Sequence, residues 1–496
     1  MATNCPSETT AILPTDTQSI ESTILAPAGF LATRLKNWQP RSQPTKPLPA
    51  FYRNIEESLN QRRNSRSICT IVQNYWQTSN AVDFCSGDIL SLNAGGALRA
   101  AFLDELSQFP DFTVGSGGVR LMDGNYTYLE RVEHDIAAFH GAEDGIIVGS
   151  AYEANVAVWT ALPRPGDVIV YDKLVHASTH EGMRRSRALQ RISFEHNNID
   201  HFRDTLVKII ETNAAINAGN SSILVAVESI YSMDGDVCPL KQFMEVAKDV
   251  TEGKGNVQFI VDEAHGVGVL GPNGSGLVCQ LKLEKEVAVV VHSFGKAVGA
   301  AGAIILGSPS IKSALVNFGR SILFTTSPSF PFVAAIKAGY NLLGTVQGQT
   351  ARDHIQMKAR LFFNTLTSHN LWETCHAKGI LHVPLAQGWE DRAFLTHIIT
   401  VSTREKYILW LFVHLMAASF SVFSVPYPIV PLGQDRVRII IHAGNTDEQI
   451  VGLVNALFTW AEEIIEIEQG TSSAEVSSVA SKVNEWMRKE GLTARL

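Results

Sequence analysis

The chain has 496 residues, 45% of them hydrophobic and 18% charged, with a formal net charge of −8. That is enough for a large core or two to three domains of ordinary globular composition, and the acidic balance excludes nucleic acid or an anionic membrane surface as the main partner. Cys5, Cys69, Cys85, Cys238, Cys279 and Cys375 are scattered without CxxC or metal-type spacing, which points to reduced thiols in a cytoplasmic compartment and to no metal site.

Residues 1–46 are rich in Thr, Ser and Pro and predict a disordered lead-in. The first basic residue is Arg34, after Glu8, Asp16 and Glu21, which matches neither a secretory signal nor an Arg-rich presequence. A segment over 47–110 leads to a large domain over 111–335. There, apolar strands are expected at Gly145–Val148, Asp167–Tyr171, Arg191–Phe194, Ile223–Val227, Gln258–Val261, Val287–Val291 and Ala303–Leu306. Helical stretches such as Tyr152–Leu162, His176–Arg187 and Leu240–Val250 fall between many of them. This alternation predicts an α/β fold, a mostly parallel seven-stranded sheet covered on both faces. Ligands of such sheets bind beyond the carboxyl ends of the strands.

A helix near Pro331–Leu343, its proline suited to the first turn, leads into a smaller α+β domain over 336–470. Helices are expected around 350–368 and 446–468, and strands near 396–401 and 436–441. Tyr407 to Val430 carries no charged residue, but His414, Ser419, Ser421, Pro426 and Pro428 interrupt it. A buried helix followed by a strand is expected there rather than a membrane span, and membrane association is not expected. Residues 471–496 form a Ser-rich tail with a short amphipathic helix.

Two motifs carry the chemistry. Val261-Asp262-Glu263-Ala264-His265-Gly266 ends one apolar strand, and His292-Ser293-Phe294-Gly295-Lys296-Ala297 ends the next. A lysine amine forms a Schiff base with the aldehyde of pyridoxal 5'-phosphate, and a carboxylate keeps the pyridine nitrogen protonated. Alone, the first motif also reads as a capped strand end and the second as a surface lysine. Together, in this order, they point to the cofactor. Gly149-Ser150-Ala151-Tyr152-Glu153-Ala154-Asn155 follows a strand and opens a helix, a place where amides hold a phosphate, although Ser150 also suits a plain N-cap. His176 is suited to stack on a flat ring or to serve as a cap or core histidine. In Glu228-Ser229-Ile230-Tyr231-Ser232-Met233-Asp234-Gly235-Asp236, Ser232 is suited to the cofactor phenolate, and Asp234-Gly235 reads as a turn. Arg438 suits either an amino-acid carboxylate or a structural ion pair.

With Gly115-Ser116-Gly117-Gly118 and Val175-His176-Ala177-Ser178, these runs resemble the α-oxoamine synthases, the family of 8-amino-7-oxononanoate synthase within the class II aminotransferases. The resemblance spans about residues 80 to 460 and implies the fold-type I architecture of pyridoxal phosphate enzymes. It implies that Lys296 is the Schiff-base lysine and that Asp262 is the partner of the pyridine nitrogen. His176 would be the stacking ring, Ser232 and His265 the phenolate contacts, and Ser293 a phosphate contact. Thr326 would reach the phosphate of a neighbouring subunit, which implies a homodimer with shared sites, and Arg438 would bind the substrate carboxylate. The implied reaction is decarboxylative condensation of a small amino acid with an acyl thioester, on CoA or a carrier protein, giving an α-amino ketone. An aminotransferase or a non-catalytic partner subunit would share the same core motifs. Gly87, Ala151 and Leu129 stand where the family usually has asparagine, glycine and histidine. These departures point away from a housekeeping biotin or heme role and toward a polyketide or fatty acyl thioester in secondary metabolism.

Overall fold

Seven strands build the central sheet: β1 (Asp144–Val148), β2 (Val168–Asp172), β3 (Gln190–Phe194), β4 (Ile223–Glu228), β5 (Val257–Asp262), β6 (Val289–Ser293) and β7 (Ala303–Gly307). Their order is β1-β7-β6-β5-β4-β2-β3. Neighbours among β2 to β6 are parallel, and β7 is antiparallel to both β6 and β1. β4 is buried along its whole length, as an aliphatic run covered on both faces must be. This computed structural model describes residues 48–489 except 66, 70 and 72–74, together with Lys36, Gln39 and Gly491. The lead-in expected over 1–46 lies outside the described residues, Lys36 and Gln39 apart.

Most expected strands lie within a residue or two of the observed ones. β6 differs in a way that matters. Hydrophobicity predicts a strand over Val287–Val291, but the strand runs from Val289 to Ser293. Its ladders decide this: Val289 pairs with Ile260 and Gly307, and Ser293 pairs with Ala303. His292 and Ser293 are therefore strand residues, and Lys296 follows at once in the β6–β7 turn.

The C-terminal part holds an antiparallel sheet of β8 (Ile398–Val401), β9 (Phe423–Val425) and β10 (Arg436–Ile440), ordered β9-β10-β8. Helices Val346–Thr367, Ile408–Ala417 and Asp447–Gln469 share a second apolar core with it. Over 407–430 the expected buried helix is present, but two short strands, Phe420–Ser421 and Phe423–Val425, follow before β10. The chain turns at Ser419, where φ is 63°. No helix among the described residues is long and apolar enough to cross a membrane. Residues 81–98 serve both cores, since Phe84 packs in the C-terminal cluster and Leu90 in the sheet cluster. Near the end, helix Ser478–Lys489 buries Ala480, Val483 and Met487.

Candidate active site

The carboxyl ends of β4, β5 and β6 form one edge of the sheet, and register sets Asp262 between Glu228 and Val291. Two helices begin at this edge, α1 (Ala151–Ala161) and α2 (Ala177–Arg184). Asp262 is bonded through both oxygens. Oδ2 accepts from Asn155 Nδ2 at 2.7 Å, and Oδ1 accepts from the Ala264 amide at 2.9 Å. Asn155, one turn into α1, also donates to Ser178 Oγ at 3.0 Å. Ser178 Oγ lies 2.7 Å from His176 Nδ1, and the Ser178 amide donates to the same nitrogen at 3.2 Å. His176 is the N-cap of α2, not its first helical residue. Its ring keeps an open edge, yet its pKa is lowered, first by burial and then by Lys296, against the pull of Asp262.

Lys296 stands in a closed turn. The Phe294 amide donates to Gly302 O at 2.9 Å and the Gly299 amide to Lys296 O at 2.8 Å. Asn93 Nδ2 ties Gly299 O from outside at 2.9 Å, and Gly299 takes a φ of 78° that a side chain would strain. Gly87 lies directly against this turn. A Cβ there would sit 3.2 Å from Gly295 O and 3.6 Å from Lys296 Cα, so glycine permits the close approach. The Lys296 amine is held below its ordinary pKa, chiefly by burial and also by Arg438, while Asp262 and Glu228 work the other way. Burial also pushes the Glu228 carboxyl well above the carboxylate range, reinforced by Asp262.

The opposite wall is differently built. His265 is buried with no partner for Nδ1 among the described residues, and its ring lies 5.9 Å from that of His397 at 28°. His397 is fully buried, and neither nitrogen has a partner among the described residues. Its pKa falls to about 3, chiefly through burial, with His442, Lys296 and Arg438 adding to the effect. Arg438, on β10, donates to Ser232 O at 3.1 Å, and its Nε has no partner among the described residues. Its guanidinium lies 5.5 Å from the centroid of Phe423. Among the described residues it forms no ion pair, whereas Arg436, two residues earlier, pairs with Asp234.

These contacts bring Asp262, His176, His265, Lys296, Ser232 and Arg438 into one region. Ser293 is buried at the end of β6 beside it. Ser150 is the N-cap of α1, its hydroxyl accepting from the Glu153 amide at 3.1 Å. The next two amides, of Ala151 and Tyr152, have no acceptor among the described residues. Thr326 stands apart: it is exposed, bridges to Val119, and shares no hydrogen bond or charge contact with the others. Leu129 is fully buried core. Asn155, Glu228, Asn93 and His397 were given no role from sequence. A lone histidine opening the apolar run Thr396–Val401, and an asparagine on the sheet-facing side of α1, were the only signals available. A separate cavity of about 520 Å³ opens at the far end of the sheet, between Gln258, Val289, Gly307 and Ile311, and is remote from this chemistry.

The residues fit pyridoxal phosphate. A half-buried lysine with a lowered pKa, a carboxylate on a neighbouring strand end and, among the described residues, two free amides at a helix N-terminus and an arginine without a counter-ion match the aldehyde, the ring nitrogen, the phosphate and a substrate carboxylate.

The comparisons agree. The model of the family described as aminotransferase class I and II matches residues 79–457. The aminoacyl transferase sphA of Byssochlamys spectabilis is 46% identical over 91% of this chain and 96% of its own length. The 8-amino-7-oxononanoate synthase of Emericella nidulans is 40% identical over 78% of this chain and 90% of its own. Among solved structures, serine palmitoyltransferase from S. paucimobilis superposes with a TM-score of 0.65 at 24% identity, covering 77% of this chain and 88% of that one, a likeness of fold. The chain belongs to the class I and II aminotransferase family and, within it, to the α-oxoamine synthases, and is a pyridoxal phosphate-dependent enzyme.

Proposed function

We propose that the protein condenses a small α-amino acid with an acyl thioester, releasing the thiol and carbon dioxide and giving an α-amino ketone. The observation that carries this reading is the half-buried Arg438 near Lys296, with a buried, unpartnered Nε and no ion pair among the described residues. When bound, pyridoxal phosphate supplies an aldehyde that takes up the amino acid and a protonated ring that draws electrons from its α carbon. Lys296 anchors the cofactor, and its Nζ moves the proton at the α carbon; burial favours its unprotonated form. Asp262 holds the proton on the ring nitrogen, with Asn155 and the Ala264 amide fixing the carboxylate. His176 holds the ring's face, and Ser232 and His265 bind the phenolate oxygen. The Ala151 and Tyr152 amides, next to Ser150, and Ser293 take the phosphate. Arg438 grips the substrate carboxylate.

Gly87 brings no side chain to this site, which favours an acyl substrate outside biotin and heme synthesis, such as a fatty or polyketide acyl thioester. Relatives named aminoacyl transferase support that choice. A second copy of the chain is expected to complete the site through Thr326. Leu121, Met122 and Phe324 are 51%, 84% and 72% exposed near the Val119–Thr326 bridge, an apolar surface suited to a partner. Light scattering at micromolar concentration checks the dimer.

The deciding experiment incubates holoenzyme with small amino acids and a panel of acyl-CoA and carrier-bound acyl thioesters. Thiol, carbon dioxide and an α-amino ketone in equal amounts are expected. Keto-acid exchange without thiol release would make the protein an aminotransferase, and cofactor binding without any turnover would make it a non-catalytic subunit.

A further inference from the structure

We propose that Asn155 is a positioning residue that sets two cofactor-facing groups at once: the carboxylate of Asp262 and the ring tautomer of His176. This rests on the roles given above to those two residues. Asn155 is 2% exposed, and its Nδ2 spends both protons inside the protein. One goes to Asp262 Oδ2 at 2.7 Å and the other to Ser178 Oγ at 3.0 Å. Ser178 is fully buried. Its oxygen accepts from Asn155 and lies 2.7 Å from His176 Nδ1, which leaves its own proton available to that nitrogen. The Ser178 amide donates to Nδ1 as well, at 3.2 Å. A ring nitrogen that accepts two hydrogen bonds carries no proton, so the proton of neutral His176 sits on Nε2, on the far edge of the ring.

The chain of bonds joins three elements, α1, β5 and α2, at the edge where their ends meet. The Ala264 amide holds the other oxygen of Asp262 at 2.9 Å, so the carboxylate plane is pinned from both sides. Removing the Asn155 amide orphans two buried acceptors together, one of them charged, and frees the Ser178 hydroxyl to rotate. The Ser178 amide alone then faces His176 Nδ1, and the tautomer is held less firmly.

The test compares Asn155→Ala, Asn155→Asp and Ser178→Ala holoenzymes. One readout is the pyridoxal phosphate dissociation constant from equilibrium dialysis. The other is the ring-nitrogen 15N shifts of His176 in 15N-histidine-labelled protein, with His176→Gln to assign the signals. Asn155→Ala is expected to weaken cofactor binding by about 10- to 100-fold and to mix the His176 tautomers. Asn155→Asp, isosteric and thus the safeguard should alanine not fold, places an acceptor and a like charge beside Asp262. It is expected to bind the cofactor weakly at neutral pH and to regain affinity as pH falls. Ser178→Ala is expected to mix the tautomers while losing less cofactor affinity than either. Wild-type affinity and a retained Nε2–H tautomer in the Asn155 variants would overturn the proposal, as would a Ser178→Ala variant that loses as much affinity as Asn155→Ala. Neither readout requires turnover, so failure of the condensation reading leaves this test standing.

Discussion

On the Asp262 side of the site, both carboxylate oxygens, the Asn155 amide, the Ser178 hydroxyl and His176 Nδ1 form one closed chain of hydrogen bonds. On the Arg438 side, His265 Nδ1, both nitrogens of His397 and Arg438 Nε are buried and have no partner among the described residues. Most buried polar groups are bonded, and leaving one unbonded costs about 1–3 kcal/mol. The first wall, Glu228 Oε1 apart, is thus finished by the protein and is suited to hold a group that stays. The second leaves several polar atoms for bound atoms to satisfy, and around Arg438 it is suited to a group that comes and goes.

The comparison can be broken most severely at the residue between the two walls. Lys296→Ala is expected to lower turnover by about 10²- to 10⁴-fold, measured as thiol release at saturating substrates; near-normal turnover would remove Lys296 from the chemistry. Arg438→Ala tests the open wall. An increase of about 10- to 100-fold in KM for the amino acid is expected, with the cofactor dissociation constant unchanged, and an equal rise in KM for the thioester would reassign the arginine. A stability pair then sharpens the contrast. Ser178→Ala should cost about 1 kcal/mol in urea unfolding, because it breaks satisfied bonds, whereas His397→Leu should cost nothing or stabilise by about 1 kcal/mol, because it removes orphaned atoms. If His397→Leu is as damaging as a core truncation, the orphaned ring is structural.

The smallest effect concerns what supports the open wall. Arg438 leans on the Ser232 carbonyl, and the turn that follows is held to the C-terminal sheet by Thr396 Oγ1, which donates to Gly235 O at 2.6 Å, and by the Arg436–Asp234 pair. On its other side, His196 bridges Asp172 at 2.9 Å and Asp236 at 2.7 Å. Burial lowers the His196 pKa, but the bonds and charges of the two aspartates outweigh it and lift the value from 6.5 to about 10. Its contribution to stability is therefore full below pH 6.5 and is lost as pH rises through about 10. Between pH 7 and 10.5, Tm should fall more in the wild type than in His196→Gln, by about 2 °C. Parallel curves would show that the histidine is not charged.

Much of the sheet was legible because aliphatic runs bounded by polar residues are a local signal. Six of the seven expected strands begin within one residue of where they are found, and β6 begins two later. The exception shows the limit: Val287 and Val289 are equally apolar, and only pairing with β5 and β7 selects the segment through Ser293. The meeting of Asp262 and Lys296 at one edge of the sheet was legible because each closes an apolar run. Asn155 and His397 were not, because an asparagine on a helix and a histidine on a strand look alike whether they bond, orphan or face water. The contact of Arg438 with the Ser232 carbonyl likewise depends on a neighbour far away in the chain.

The sequence by itself determined the α/β sheet, the cofactor class and the family, since periodicity and short motifs carry them. Tertiary structure alone decided which polar atoms are satisfied. Hydrogen-bond partners such as Asn155 and Asp262 are 107 residues apart, and Arg438 and Ser232 are 206 apart. Whether a buried group is held by the protein or left for a ligand is a property of such distant meetings, which no local pattern records.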